Sequence, residues 1–334
     1  MNNLDYIYAV SRIRVKEQSL LTDSDISAMI PMKTEDEVLD YLQSKGWGTD
    51  AENSASAVLA AEERRTLEAM EDLGLDEETM NILSYPKLFH NLKTGIQEVT
   101  TAESPGRAYY DLPGFGKAEV RNILERNAFD ELPEALRTVA PSALEIMLKT
   151  RDGQMCDTIV DKACLEAMSA AAKHSKNRLL QQYLELTVAL TDIRIAVRAS
   201  RMGKSEDYLK RALADTALLD VNGLILSASE AVGKLEEAKD ADQENPLYRY
   251  LERAGFSAAV EALKVSPAAF ERWCDNELID LIRPMRTVNE SVGPVLAYYL
   301  ARENEIKTVR IILTAKANDF PDEVIEERVR KMYV

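Results

Sequence analysis

A three-part pattern recurs in fixed order along this chain. Asn91-Leu92-Lys93, Asp192-Ile193-Arg194 and Glu305-Ile306-Lys307 each read an amide or carboxylate, then a branched aliphatic residue, then a base. Each lies in a stretch with helical patterning, and each is followed, after a break, by a second helical stretch: Lys117–Arg126, Ser205–Leu213 and Asp322–Lys331. From 91 to 192 and from 192 to 305 the copies are spaced by 101 and 113 residues. A triplet alone fits many helix faces. Triplet, break and second helix recurring together predict an approximate three-fold repetition of one helical unit. They also predict that Leu92, Ile193 and Ile306 occupy similar, packed places.

The intervening sequence favours helices throughout. Glycine and proline number only 13 and 11 in 334 residues and cluster at breaks, while the periodic stretches are rich in strong helix formers. Alternating polar–apolar runs of strand length are absent. The last long helix begins at Gly293-Pro294, because proline's missing N–H is no loss in a helix's first turn, and ends near Asn318. Val295, Tyr299, Ile306, Val309 and Leu313 form one apolar stripe on it, with Glu303 and Lys307 an i,i+4 pair beside it. Pro321 to Glu323 open the next helix. Near the N-terminus Val10, Ile13, Leu20 and Leu21 share a side, and Thr22 to Asp25 supply a stop and a fresh cap. Breaks fall at Ser104–Gly106, Leu112–Gly116 and Asp240–Pro246. The fold expected is all-α, in three helical units over residues 1–127, 128–240 and 241–334.

Charge and cysteine content exclude several roles. A net charge of −16 opposes nonspecific nucleic-acid binding, which needs a basic surface, and adsorption to an anionic membrane. Cys156, Cys164 and Cys274 match neither a disulfide framework nor a zinc spacing, and read as buried or half-buried thiols of a reducing cytoplasm. The start Met1-Asn2-Asn3-Leu4-Asp5 has no signal-peptide pattern. No stretch approaches the roughly 18–20 apolar residues of a membrane span, so membrane association is expected through partners only.

No motif carries catalytic chemistry. Gly203-Lys204-Ser205 resembles the end of a phosphate loop, but that loop needs a glycine five residues before Gly203, where Arg198 stands. The tripeptide reads instead as a helix end at Gly203 with Ser205 capping the next helix. Gly114-Phe115-Gly116-Lys117 is a glycine turn before a helix, without the βαβ context of a dinucleotide site. The two histidines, His90 and His174, have no ligand partner at i+3 or i+4. Neither a metal nor a cofactor is expected. The basic residues are more informative. Arg194, Arg198 and Arg201 form a stripe at helical spacing, and Arg12, Arg14 and Lys16 a second cluster beside Glu17. Like-charged i,i+4 residues repel unless something neutralises them, so both clusters face carboxylates of this chain or of an acidic partner. These five arginines are the candidate partner-binding residues.

The C-terminal run from Pro294, with Tyr298, Glu303-Asn304-Glu305-Ile306-Lys307, Arg310-Ile311-Ile312-Leu313, Lys316, Asn318 and the closing Tyr333-Val334, resembles the ending of the C-type subunit of prokaryotic A/V-type ATPases, the counterpart of the eukaryotic d-type subunit. Tyr8 with Arg12-Ile13-Arg14, Glu17 and Leu20-Leu21-Thr22 is similar to that family's opening helix, and Asp192 to Arg194, Arg198-Ala199 and Gly203-Lys204 to its middle repeat. Ser104–Pro113 lacks the family's glycine pattern, and Asp240–Asn245 is expanded. The resemblance implies a funnel-shaped subunit of three pseudo-symmetric helical subdomains without catalytic residues or cofactor. It implies a central-stalk position between shaft subunits of D and F type and the membrane proteolipid ring, where it serves proton or sodium transport. Such a protein is cytoplasmic, peripheral to the cell membrane, and not an obligate homo-oligomer. Rival readings are a helical-repeat scaffold of another complex and an all-α enzyme whose site leaves no motif.

Overall fold

A computed structural model describes residues 3–101, 107–233, 245–289 and 291–334. The break expected at Ser104–Gly106 lies outside these residues, as does the run from Asp240 up to Glu244; Asn245 is described and caps the helix that begins at Pro246. The fold is all-α, with no β-strand among the described residues. The chain forms two compact units: residues 1–76, 177–183 and 256–334 make unit 1, and residues 77–176 and 184–255 make unit 2.

Unit 1 opens with α1 (Asn3–Glu17), α2 (Asp23–Met29), α3 (Glu35–Ser44) and α4 (Ala55–Asp72). Unit 2 contains α5 (Glu77–Leu83), α6 (Tyr85–Thr101), α7 (Lys117–Arg126), α8 (Glu134–Arg137), α9 (Val139–Thr150) and α10 (Gly153–His174). Next comes α11 (Arg178–Arg201), whose first turns belong to unit 1. α12 (Glu206–Ala212), α13 (Val221–Glu230) and α14 (Pro246–Arg253) complete unit 2. The chain returns to unit 1 with α15 (Ser257–Val265), α16 (Pro267–Ile282), α17 (Gly293–Ala317) and α18 (Asp322–Glu326).

The centre of unit 1 is α17, which packs against α1, α3, α4 and α16. All five residues of its expected stripe are buried. So is every residue from Gly293 to Arg302, because neighbours surround that half of the helix rather than one side of it. Ile306, Val309, Ile312 and Leu313 meet Leu39, Leu42, Trp47 and Val58 in the core. The α1–α2 junction follows its sequence: Thr22 and Asp25 form a reciprocal capping box, which satisfies two donors that the helix start leaves open.

The chain after α18 departs from expectation. The predicted helix to Lys331 stops at Glu326. Beyond it, backbone and side chains find partners elsewhere: Arg330 Nε bonds Asp275 at 2.6 Å, the Lys331 N–H donates to Asn276 at 2.9 Å, and the Met332 N–H donates to Asp23 at 2.8 Å. Tertiary contacts here outweigh helix propensity.

The three triplets occupy similar environments. Leu92, Ile193 and Ile306 are 0%, 0% and 4% exposed. The first residue of each triplet is also buried, and its side chain accepts a backbone N–H from a distant segment: Asn91 from Tyr110 at 2.8 Å, Asp192 from Ala214 at 3.2 Å and Glu305 from Leu21 at 2.5 Å. The bases Lys93 and Lys307 reach acids on a neighbouring helix, Asp161 of α10 at 2.5 Å and Asp275 of α16 at 2.6 Å. One turn past the first triplet, Gly95 lets α7 approach α6. A Cβ there would stand 2.4 Å from Val120 Cγ1 and 3.0 Å from Leu124 Cδ1. Gly95→Ala is therefore expected to lower stability by about 1–3 kcal/mol, the usual cost of overpacking. Urea denaturation checks this; an unchanged midpoint would show that the two helices separate without cost.

Candidate interaction surface

Three sequence features prove to be local structure. Gly203 adopts φ 64° where α11 ends, and the Ser205 side chain accepts the Tyr208 N–H as the cap of α12. Lys204 bonds Gln154 at 3.2 Å and lies over the Tyr208 ring. Gly114 and Gly116 shape the turn into α7, and the carbonyl of the buried Phe115 between them accepts from Asn91. All three cysteines are buried, and burial pushes the Cys156 and Cys164 thiols up to about 11 and about 12, which leaves little reactive thiolate at neutral pH. Among the described residues no group of three or more His, Cys, Asp or Glu is placed to hold a metal ion. None of their helices is long and apolar enough to cross a membrane.

The arginines divide by environment. In α1, Arg12 pairs with Asp72 of α4 at 2.7 Å, and its guanidinium lies 5.7 Å from the centre of the Tyr8 ring. Arg14 is held more completely. It pairs with Glu17 at 2.8 Å and donates to the carbonyls of Met285 at 2.9 Å and Val288 at 2.5 Å. These acceptors lie on the far side of the sequence and close the end of α16 against α1.

The stripe on α11 is presented differently. The Asn177 side chain caps the helix start by accepting the N–H groups of Leu179 and Leu180. Leu184, Val188, Ile193, Ala196 and Val197 are buried, so most of the circumference is core. Arg194, Arg198 and Arg201 share the remaining strip, with Arg198 exposed and the other two half-buried. Arg198 stands at a cleft of about 460 Å³ in unit 2, together with Thr187, Thr191 and Tyr208 over an apolar floor that includes Phe89 and Leu165. With Asp161 also at its edge, the cleft offers one cation, one carboxylate and several hydroxyls around an apolar hollow, a lining that can take a mixed polar and apolar surface.

One cluster escapes the sequence reading. Arg302 of α17 is buried between Glu62 of α4 and Glu305, at 2.5 Å from each, with its guanidinium 4.9 Å from the centre of the Trp47 ring. Glu62 also accepts the Gly48 N–H at 2.9 Å and Arg65 at 2.8 Å. Burial pushes the Glu305 carboxyl up, to about 7, against the pull of Arg302 and the Leu21 N–H. The cluster borders a cleft of about 490 Å³ in unit 1 that Lys16, Lys45, Arg65 and Tyr298 also line. Two of its cations are spent internally, since Lys45 pairs with Asp25 and Arg65 with Glu62 and Asp50. A signal does exist in the sequence: Glu62 interrupts the apolar spacing of Val58, Leu59, Ala69 and Met70 on one face of α4.

Residues 9–328 match the family described as the ATP synthase (C/AC39) subunit. Curated relatives include the C-type subunit of the A-type ATP synthase of Halobacterium salinarum, 25% identical with 96% of each chain covered. Its equivalent in the A-type ATP synthase of Halorubrum lacusprofundi is 24% identical, again over 96% of each chain. The C-type subunit of the V-type sodium ATPase of Enterococcus hirae is 20% identical over 96% of this chain and 97% of its own.

Proposed function

This chain belongs to the ATP synthase (C/AC39) subunit family, and from that premise we propose that it is the non-catalytic coupling subunit of a rotary A/V-type ATPase. In this reading it joins the central shaft, through subunits of D and F type, to the membrane proteolipid ring. It reaches the membrane only through those partners and passes torque between them while ATP and ions are handled elsewhere in the complex. The three-unit organisation over residues 1–127, 128–240 and 241–334 belongs to the same proposal, supported by the buried side chain that takes a distant N–H in each triplet.

The observation that carries the reading is the family match across residues 9–328, with relatives covered almost end to end. A stiff, densely packed interior suits a part that transmits force, and α17 with its surrounding helices is such an interior. The deciding experiment removes the chain from its complex. ATP hydrolysis by the remaining complex should persist while ion pumping is lost, and the restored chain should co-purify with shaft and ring subunits. Pumping that survives its removal, or ATP hydrolysis by the pure chain that Lys204→Ala abolishes, would overturn the proposal.

The five arginines enter as contacts. Arg14 is held by Glu17 and two carbonyls and Arg12 by Asp72; the α11 stripe is tested first because Arg198 is exposed at the unit 2 cleft. Arg194→Ala with Arg198→Ala, with helix content unchanged by circular dichroism, is expected to weaken binding to shaft or ring at least tenfold, about 1.4 kcal/mol. Exposed pairs within the chain would be worth only ~0–1 kcal/mol, so unchanged binding at moderate salt would assign the stripe a purely structural role.

A further inference from the structure

Three buried polar side chains perform the same task in the three triplets, and only one of them lacks the means to remain charged or fully bonded. Asn91 is an amide. Its oxygen takes the Tyr110 N–H at 2.8 Å, and its nitrogen donates to the Tyr110 and Phe115 carbonyls, both at 2.9 Å. Glu305 is an acid, but Arg302 stands 2.5 Å away to balance its charge. Asp192, in the middle of α11, is also an acid and is wholly buried. Its Oδ1 accepts the Ala214 N–H at 3.2 Å, and its Oδ2 has no hydrogen-bond partner. No cation lies within ion-pairing distance of it among the described residues.

We propose that Asp192 is a proton-binding site, and that the neutral acid rather than the carboxylate fastens the segment from Leu213 to Asp220 onto α11. A buried carboxylate without a counter-charge is unstable and takes up a proton instead. The groups facing it do not supply that counter-charge. Lys162 of α10 donates its ammonium to the Lys210 carbonyl at 2.9 Å and lies 3.8 Å from Glu166. Asp215, in the fastened segment, adds negative charge. Tyr250 of α14 is neutral and donates to the Asp220 carbonyl at 2.7 Å. Burial accordingly pushes the Asp192 carboxyl up to about 8, with the Ala214 N–H and Lys162 pulling against it and Asp215 adding to the rise. A second tie, Ser169 Oγ to the Asp215 carbonyl at 2.8 Å, holds the same segment to α10, so loss of the proton loosens this stretch without releasing it. The site lies within unit 2 and does not depend on the coupling role.

The sign of the effect is fixed. An aspartate in the unfolded chain loses its proton near about 3.9, whereas the native one keeps it to about 8. Between these values the native state binds more protons than the unfolded state, so stability falls as pH rises. Asp192→Asn supplies the uncharged group at all pH values, as Asn91 does in the first triplet. The experiment measures urea unfolding of the full chain and of Asp192→Asn from pH 5 to pH 8. The ratio of their folding constants is expected to move in favour of the variant by up to about tenfold per pH unit. Protection of the Ala214 amide from hydrogen exchange should fall above pH 8 in the parent and not in the variant. Parallel stability profiles would overturn the proposal. If Asp192→Asn does not fold, the Asp192 carboxyl carbon is titrated by NMR in the parent chain: a midpoint above about 6 supports the site, and one below about 6 overturns it.

Discussion

Arg302→Met is expected to destabilise unit 1 by about 3–5 kcal/mol, the range for removing one partner of a buried ion pair. The side chains of Arg302, Glu62 and Glu305 are 7%, 5% and 2% exposed, so little solvent is at hand to replace the guanidinium. The two acids would not suffer equally. Glu62 keeps Arg65 and the Gly48 N–H. Glu305 keeps only the Leu21 N–H, and burial already raises its carboxyl. In the variant Glu305 should take up a proton, so stability should fall from pH 5 to pH 8 more steeply than in the parent. That follows because the unfolded glutamate ionises near about 4.3 while the native one no longer does. Methionine fills much of the volume, so the loss reports charge rather than a cavity. The triple variant Arg302→Met, Glu62→Gln, Glu305→Gln should recover most of the loss, since no buried charge remains. Urea unfolding with tryptophan fluorescence suits the test because Trp47 lies against the guanidinium. A loss below about 1 kcal/mol would mean that water enters and the cluster is not a sealed ion pair.

The cluster also explains how unit 1 fixes the placing of its helices. Glu305 binds the backbone at Leu21, one residue before the α2 cap, and Arg302 binds α4 through Glu62. An apolar contact tolerates sliding along a helix, whereas a directed, buried hydrogen bond has one geometry. The same device serves unit 2 through Asn91 and Asp192. In the proposed coupling role this matters more than net stability, because a part that transmits torque works only if its helices do not shift under load.

What the sequence discloses is local. Pro294 after Gly293, Gly203 followed by Ser205, and Thr22 with Asp25 are start and stop signals whose physics sits within a few residues. The recurring triplet is legible for the same reason. The environment of each triplet is not, because burial of Asp192 depends on helices packed around α11 from elsewhere in the chain. Arg12 and Arg14 stand out as a basic cluster, yet Arg14 is satisfied by carbonyls 271 and 274 residues away, which no spacing rule reaches. The passage from unit 1 to unit 2 at residue 184 falls inside α11, where neither composition nor periodicity changes. The end of α18 is hidden because charged, helix-compatible residues (Glu327, Arg328, Arg330 and Lys331) continue past Glu326, while Asp23, Asp275 and Asn276 capture the chain beyond it.

That captured end carries the second large effect. Tyr333 is 1% exposed, and its hydroxyl lies 3.2 Å from Glu17. The backbone beside it is fixed twice over, by the Met332 N–H on Asp23 and by Arg283 on the Met332 carbonyl at 2.5 Å. With the backbone held, a hollow left by Tyr333→Ala cannot readily collapse, so the loss should approach the ~3–5 kcal/mol typical of a buried aromatic residue cut to alanine. Tyr333→Phe separates ring from hydroxyl. It gives up one hydrogen bond, worth about 0.5–1.5 kcal/mol, and Glu17 keeps its pair with Arg14 at 2.8 Å. Urea unfolding of both variants should therefore show a large loss for alanine and a small one for phenylalanine. Equal losses would place the energy in the Glu17 contact rather than the ring. An alanine variant within about 1 kcal/mol of the parent would mean that the closing Tyr333-Val334 lies on the unit without supporting it.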